Sequence, residues 1–278
     1  MANLLNAGLQ GILEGLTEFL PISSTGHLIL IEQFIPVYDV NTLGIDDAKA
    51  HEDVFNVVIQ FPAILAIMVL YFRRLLASVR EIPARPEARR FWAGLGIAFL
   101  PAAVLGLAIH HQIEEKLYAP VPIAIALIVG GIVLILADRF TGAGRIEKAE
   151  DASFGQAIQI GLFQAVALLP GVSRSGATII GARLLGLTRT AAAEYSFFLA
   201  LPTMLGAFVY KLYKARGILL WDVDGPALLV GGVTSFVVAL VVVAFFIKFL
   251  QKHGLGVFGW YRIALGILVL ALAARTVA

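Results

Sequence analysis

Long apolar stretches alternate with short polar segments along most of the chain. Because a hydrocarbon core of about 30 Å takes about 20 helical residues, the longest stretches are predicted to be membrane-crossing helices. The predicted spans cover residues from about 53 to 72, 91 to 110, 119 to 137, 190 to 210, 226 to 247 and 256 to 275. Stretches of this length favour a helix bundle over a membrane β-barrel, whose strands are shorter and alternate in polarity.

Two further apolar regions, about 3–35 and about 153–186, are each interrupted by a polar turn. In the first region a helix over about 3–20 meets Pro21, and a second short apolar helix follows Thr25. Neither helix is long enough to cross a bilayer, so the pattern predicts a re-entrant hairpin that enters and leaves on the same side. Since irregular backbone at that depth must be buried or line a cavity, the turn is predicted to line a pocket.

The two halves of the chain repeat each other at an offset of 150 residues. Residues 11–14 match 161–164, and residues 23–26 match 173–176. Each half then holds one hairpin and three spans, and because three is odd the second half enters the membrane from the opposite side. The pattern predicts an all-α polytopic membrane protein with an inverted-topology repeat. The predicted boundaries are a first repeat at 1–138, a cytoplasmic linker at 139–152 and a second repeat at 153–278.

Composition supports a membrane protein and narrows the chemistry. Hydrophobic residues make up 59% of the chain and charged residues 14%, with a mean hydropathy of +0.88, whereas about a quarter of the residues of soluble proteins are charged. The chain has no cysteine, which excludes disulfides, thiolate metal sites and cysteine nucleophiles. The first segment contains Glu14 and Glu18 and lacks a basic start, so we expect it to remain in the mature protein.

The distribution of Lys and Arg predicts the orientation in the membrane. The loops at 73–90, 139–152 and 248–253 together carry eleven basic residues, against six on the other side. By the positive-inside rule these loops are cytoplasmic, and both termini and the mouth of the first hairpin face the extracytoplasmic side. The three basic residues within 211–216 count against this orientation. Basic residues in short loops give no reason to expect nucleic acid as a partner.

The polar residues of the two turns point to phosphate chemistry. Glu14 and Glu18 lie four residues apart and share a helix face that leads to three hydroxyl residues and His27. An inverted repeat would bring both turns together near the middle of the bilayer, with helix N-termini that favour an anion. Arg174 in the second turn adds a cation whose guanidinium geometry matches phosphate oxygens.

The two turns also carry a family resemblance. The sequences EGLTEFLPISSTGH at 14–27 and PGVSRSGAT at 170–178 closely resemble the two signature motifs of the bacterial undecaprenyl-diphosphate phosphatase family, the bacitracin-resistance type. The resemblance covers the full length, including the segments around 55–62 and 196–202. It implies hydrolysis of undecaprenyl diphosphate to the monophosphate, which recycles the lipid carrier of cell-wall polymers. It also implies a multi-pass protein of the bacterial plasma (inner) membrane, a site open to the periplasmic side, and a divalent cation, Mg²⁺ or Ca²⁺.

The residues of the first turn are assigned candidate roles, with alternatives left open. Glu14 and Glu18 are candidate metal ligands, because hard cations take carboxylate and phosphate oxygens together; one of the two could instead lie on the helix surface. His27 is a candidate nucleophile, general base or general acid. Ser24 is the rival nucleophile, with His27 three residues on as its base, and direct attack by water is a third alternative.

The second turn is expected to grip the substrate. Arg174 is a candidate catalytic clamp on the diphosphate, and the alternative is an ion pair with a buried carboxylate such as Glu18. Further substrate contacts, some of which could instead be helix caps, are expected from Ser23, Thr25, Gly26, Ser173, Ser175, Gly176 and Thr178. Four charged residues near membrane depth are interpreted as internal ion pairs or interfacial side chains: Arg183, Arg189, Glu194 and Arg262.

A lipid-phosphate transporter or flippase is the alternative function, because inverted repeats and broken helices are also the architecture of transporters. The carboxylate pair beside Ser24 and His27 favours hydrolysis, since anion binding alone would not require it. The expected partners are a polyprenyl diphosphate and membrane lipids, and a homodimer is left open. The acidic connection at about 36–53 is longer than the resemblance leads us to expect, and its role at the pocket entrance is left open.

Overall fold

The computed structural model describes residues 2–218 and 221–277. Within these residues the regular structure is helical, and no strand forms beyond two isolated bridges. Helical segments long and apolar enough to cross a membrane are Ile45–Leu70, Pro86–Ile109, Pro120–Phe140, Arg189–Gly217, Asp224–Lys252 and Gly256–Ala274. The prediction of an all-helical, polytopic membrane protein is confirmed at this level.

The α-helices of the described residues follow one another with short connections. In chain order they are α1 (Leu4–Thr17), α2 (Ser24–Ile31), α3 (Val40–Leu43), α4 (Ile45–Val58), α5 (Gln60–Leu70), α6 (Phe72–Glu81), α7 (Pro86–Leu117), α8 (Pro120–Phe140), α9 (Phe154–Val166), α10 (Arg174–Leu184), α11 (Arg189–Lys214), α12 (Trp221–Lys252) and α13 (Gly256–Val277). Single 3₁₀ turns lie at Ala149–Asp151 and Ala215–Gly217.

Two pairs of short helices, α1 with α2 and α9 with α10, share one local design. Each pair is joined by a turn that contains a proline, which lacks a backbone N–H and cannot continue a helix. The second helix of each pair begins after a capping serine. The Ser23 hydroxyl accepts the N–H of Gly26 at 3.3 Å, and the Ser173 hydroxyl accepts the N–H of Gly176 at 3.0 Å. The matching turn sequences therefore form matching N-caps.

Glycines bring α1 and α9 close to the backbone of other helices. A Cβ added at Gly15 of α1 would lie 2.5 Å from the carbonyl oxygen of Ser235 in α12. A Cβ added at Gly161 of α9 would overlap the carbonyl group of Ala98 in α7. Because small residues allow helix backbones to approach closely in membranes, these positions fix α1 on α12 and α9 on α7.

The segment predicted as a polar connection at about 36–50 is largely helical, and the following span begins earlier than the predicted residue 53, at Ile45. The Glu52 carboxylate explains how this segment is held, because it accepts the N–H of Val37 at 3.0 Å and the Nε2 of Gln10 at 2.7 Å. The span is interrupted between α4, which ends at Val58, and α5. The break lies next to Pro62, because a proline ring clashes with the carbonyl of the residue four positions earlier in a continuous helix, here Val58.

Arg74 lies in α6, within the segment predicted as a loop at 73–90, and joins three segments. Its guanidinium contacts Glu150, in the connection between the halves, at 2.6 Å, and Glu194 of α11 at 2.8 Å. Burial by itself would raise the pKa of Glu150, but the hydrogen bonds from Arg74, a backbone hydrogen bond and the charges of Arg74 and Lys148 together hold the pKa below its ordinary value. The connection is thereby tied to both halves.

The charged residues predicted near membrane depth differ in their contacts. Arg189 donates to Asp138 at 2.7 Å, so the ion-pair interpretation is confirmed for it and for Glu194. For Arg183 the interpretation is wrong. Its buried guanidinium donates to the carbonyl oxygens of the 142–143 loop and of Leu187, and no carboxylate of the described residues pairs with it. Arg183 therefore holds the 142–143 loop by hydrogen bonds to its carbonyl oxygens.

Candidate active site

The two helix-pair turns meet around a small polar cavity of about 150 Å³. Counted from the C-cap of the helix that precedes it, each turn contributes four residues to the wall. The lining consists of Glu18, Ser23, Ser24, Thr25, Gln60, Ala167, Val172, Ser173, Arg174, Thr203, Met204 and Ala207. Residues about 150 positions apart in the sequence thus surround one space, and the two turns supply its polar groups together with Gln60 of α5 and Thr203 of α11.

Glu18 connects the two turns. One carboxylate oxygen, Oε2, accepts the Ser24 hydroxyl at 2.5 Å, and the other, Oε1, accepts Nη2 of Arg174 at 3.2 Å. Glu18 is only 7% exposed, so both contacts are shielded from solvent. Arg174 is further held by the carbonyl oxygen of Ser196, at 3.1 Å from Nη1. The ion pair with Glu18 that was the alternative for Arg174 is thus formed.

Glu14 lies one helical turn behind Glu18 and is completely buried. No hydrogen-bond donor of the described residues reaches either of its carboxylate oxygens. Burial of a carboxylate without a partner is costly, and the neighbouring charge of Glu18 adds to that cost. A proton shared by the two carboxyl groups, or a bound cation, would remove the repulsion.

His27 faces away from Ser24. Its Nδ1 lies 2.7 Å from the carbonyl oxygen of Ser23, and its Nε2 lies 2.7 Å from the hydroxyl of Tyr261, whose ring stacks on the imidazole. Since the carbonyl oxygen can only accept, Nδ1 carries a hydrogen, and in the neutral ring Nε2 accepts from Tyr261. The hydrogen bond expected between Ser24 and His27 is therefore not formed. Glu18 takes that position instead.

The first turn also holds an unusual backbone conformation. Ser23 has a φ of 75°, and it is the one non-glycine residue with positive φ among the described residues. A non-glycine residue in this region is strained by about 1–3 kcal/mol and persists when its surroundings hold it. Ser23 is held at its hydroxyl by the Gly26 N–H and at its carbonyl by the His27 ring.

The predicted substrate-binding residues divide into two groups. Ser23, Thr25 and Ser173 line the cavity, whereas Gly26, Ser175, Gly176 and Thr178 do not. The Ser175 hydroxyl donates to the carbonyl oxygen of Leu20 at 2.8 Å, and the Thr178 hydroxyl lies 2.6 Å from that of Ser196. Both side chains are fully buried. Their contacts join α10 to the first turn and to α11, so they position the cavity wall.

Comparison with known proteins identifies the family. Residues 7–268 match the family model described as bacitracin resistance protein BacA. The chain belongs to the BacA family. It is 47% identical over 271 residues to an undecaprenyl-diphosphatase of Acidovorax ebreus, and the matched region is 97% of this chain and 95% of that protein. It is also 47% identical to a protein of the same name from Pseudomonas aeruginosa, over 95% of this chain and 92% of the relative. A third protein of that name, from Nitrosospira multiformis, is 47% identical over 97% of this chain and 95% of the relative.

Arg262 is the main feature of this BacA-family site that the sequence interpretation misplaced. It is 2% exposed and neither forms an ion pair with a carboxylate of the described residues nor reaches an interface. Its guanidinium donates to the carbonyl oxygens of Pro21 in the first turn, at 3.2 Å, and Gly171 in the second turn, at 3.1 Å. It also donates to two carbonyl oxygens of α8. The feature of the sequence that could have indicated a role at the site is a single arginine within an apolar stretch.

Proposed function

We propose that this protein hydrolyses undecaprenyl diphosphate to undecaprenyl monophosphate and phosphate. The observation that carries the proposal is the Glu18 carboxylate between Ser24 and Arg174, which joins a base, a hydroxyl and a phosphate-binding cation in one buried cavity. The relatives named undecaprenyl-diphosphatase match nearly the whole chain, which supports the same substrate here. The enzyme is thus a membrane hydrolase that recycles a cell-wall lipid carrier.

Arg174 and the helix N-termini would bind the diphosphate. Arg174 contacts Glu18, and the phosphate oxygens of the substrate would compete for its guanidinium donors, which suit phosphate. The turns place the N-termini of α2 and α10 beside the same cavity, and such ends favour anions. Ser173 and Thr25 supply further hydroxyl donors from the cavity wall.

Glu18 would act as the general base. It takes the proton of Ser24 while the serine oxygen bonds to the terminal phosphorus, and the bond between that phosphorus and the bridging oxygen breaks. The monophosphate lipid leaves, and water then releases phosphate from Ser24. A direct attack by water with Glu18 as base is the alternative. His27 supports the turn in either case, because both ring nitrogens are engaged elsewhere.

Glu14 and Glu18 fit a divalent cation, Mg²⁺ or Ca²⁺. The two unpartnered oxygens of buried Glu14 are the kind of ligand that hard cations take. No third acidic or histidine side chain of the described residues joins them in a ligand cluster, so substrate oxygens and water would complete the shell. When bound, the cation would neutralise charge on the diphosphate.

Helix packing supports the finer architecture. The first helix of each short pair packs on the second long span of the other half, α1 on α12 and α9 on α7, while α8 packs on α13. This exchange is expected of two repeats related by a pseudo-two-fold axis, and it supports re-entrant hairpins that insert from opposite sides at the proposed repeat boundaries. By the Lys and Arg distribution, the site would open to the periplasmic side of the inner membrane.

A transporter is less well supported than a hydrolase. Moving a lipid phosphate requires Arg174 and a cavity, but it does not require a serine hydroxyl hydrogen-bonded to a buried carboxylate.

A homodimer remains a prediction, and the mass of the detergent-solubilised protein by light scattering tests it.

Phosphate release from undecaprenyl diphosphate by the purified protein tests the proposed function. We expect release by the wild type, loss of release in a chelator with recovery on added Mg²⁺ or Ca²⁺, and loss of release in Arg174→Ala. Arg139→Ala, an exposed arginine of α8, is the matched control and should keep full activity. Movement of lipid phosphate across vesicles without release of phosphate would instead favour the transporter.

A further inference from the structure

A long apolar groove lies beside the polar cavity and contributes nothing to the chemistry described above. Its volume is about 640 Å³, within the size range of small-molecule sites. The groove lies between α8 and the second helix pair. Its α8 wall consists of Pro122, Ile125, Ala126, Val129, Gly130 and Val133. These positions follow the spacing of one helix face and extend over about 17 Å at 1.5 Å per residue.

The opposite wall is one face of α10 together with α9. Ser173, Gly176, Ala177 and Ile180 recur at the spacing of one helix face, and Phe163 closes the groove from α9. Small residues on both walls leave the space open. Val129 and Ile125 of α8 are about half exposed, so the groove opens sideways along the protein surface that contacts lipid.

The groove and the polar cavity share a wall. Val172 and Ser173 line both spaces, so the two spaces adjoin at the second turn. Gly171 brings this turn against α8. Its φ is 85°, and an added Cβ would lie 2.7 Å from the carbonyl oxygen of Ile123. A molecule that passes over Val172 would therefore have its polar end beside Arg174 and its apolar end in the groove.

We infer that this groove binds the first isoprenoid units of the polyprenyl chain while the diphosphate occupies the Glu18 and Arg174 cavity. The inference rests on the proposed function and assigns the polyprenyl chain to one surface among the many apolar faces of the protein. The lateral opening lets the rest of a long chain continue into the bilayer. A ligand with one charged end and one apolar end is the kind that two adjoining spaces of opposite polarity fit.

Photo-cross-linking tests where the isoprenoid chain of the ligand lies, without relying on turnover. The probe is a farnesyl diphosphate analogue with a diazirine on its last isoprenoid unit, and labelled peptides are mapped by mass spectrometry. We expect labels on α8 and α10 residues of the groove, removed by competing farnesyl diphosphate. Labels on α5 or α12, or groove labels removed by phospholipid but not by farnesyl diphosphate, would overturn the inference.

Substitution of a groove residue gives a second, kinetic test. Val129→Trp fills the groove from a lipid-exposed position, and we expect it to raise KM for farnesyl diphosphate about tenfold with little change in kcat. Inhibition by inorganic pyrophosphate, which has no chain, should stay as in the wild type. Ile132→Trp is the control, since Ile132 is exposed to a similar degree on α8, 44% against 53% for Val129, but lies outside the groove. Equal effects of the two variants would overturn the inference.

A wild type that releases no phosphate would contradict the proposed function and leave the cross-linking result interpretable. A wild type that hydrolyses the lipid but carries its labels elsewhere would contradict the groove alone. The two failures are therefore distinguishable.

Discussion

The hydroxyl of Ser24 lies 2.5 Å from Oε2 of Glu18 and thus shares a carboxylate with Arg174 of the other half. In the proposed mechanism this contact makes the base and the hydroxyl nucleophile one unit, with the guanidinium of Arg174 on the opposite carboxylate oxygen. Residues that act as a unit have non-additive effects on rate, because removal of one disables the other.

Glu18→Gln and Ser24→Ala are therefore expected to lower phosphate release by similar factors, of about a hundredfold or more. The double variant should be no worse than the slower single variant. Initial rates for all three variants give the test, with Glu81→Gln, a half-exposed residue of α6, as the control. Multiplicative losses in the double variant would show that the two residues act separately, and full activity of Glu18→Gln would remove the proposed base.

The features that could be predicted from the sequence depend on local order. The proline, the capping serine and the glycine of each turn lie within six residues of one another, so the helix break and the cap follow from neighbours in the chain. The apolar stretches likewise define the spans by their own length. Both Glu18 and Arg174 could be singled out because charged residues are rare in such stretches.

The partners of the site residues could not be predicted, because they come from distant segments. His27 is paired with Tyr261, 234 positions away, and Arg262 reaches Pro21 from 241 positions away. Spacing along α2 suggested that His27 would serve Ser24. The ring bonds instead to the carbonyl oxygen of Ser23, the N-cap residue of α2, which also accepts the backbone N–H of His27.

His27 is expected to act on the stability of the turn more than on the chemistry. His27→Ala removes two hydrogen bonds and a stacked ring, so the free energy of unfolding should fall by about 2 kcal/mol. Tyr261→Phe keeps the stacking and removes one donor, and should cost about 1 kcal/mol with less than about a tenfold loss of rate. Thermal unfolding in detergent and phosphate release are measured on the same preparations. Complete inactivity of His27→Ala at unchanged stability would restore His27 as a nucleophile or base.

The positive φ of Ser23 predicts opposite behaviour for two small substitutions. Ser23→Gly relieves the strain, because glycine adopts left-handed φ freely, and loses only the weak cap, so its stability should stay within about 0.5 kcal/mol of the wild type. Ser23→Ala keeps the strain and loses the cap, and should cost about 1 kcal/mol or more. Unfolding midpoints of both variants decide the matter. A less stable glycine variant would mean that the hydroxyl, not the backbone conformation, is what matters.

Arg262 is expected to act chiefly by positioning both turns, and its side chain also lines one part of the groove. A lysine at this position keeps the charge but cannot donate to four carbonyl oxygens from a planar group, so some buried acceptors lose their partners. Arg262→Lys should therefore lower the free energy of unfolding by about 2 kcal/mol. It should also reduce kcat more than it raises KM, since misalignment of Ser24 and Arg174 affects the transition state most.

The control for this variant is Arg139→Lys, which changes the same residue type at an exposed position of α8 and should leave stability and rate unchanged. Arg262→Met removes both the charge and every donor, so its difference from Arg262→Lys gives the effect of the charge and of the single donor group that lysine keeps. If the carbonyl contacts hold the turns together, the methionine variant is the slowest of the three and unfolds at the lowest temperature. A methionine variant as active as the wild type would mean that the turns meet through their own contacts, such as Ser175 with Leu20, and that Arg262 is dispensable.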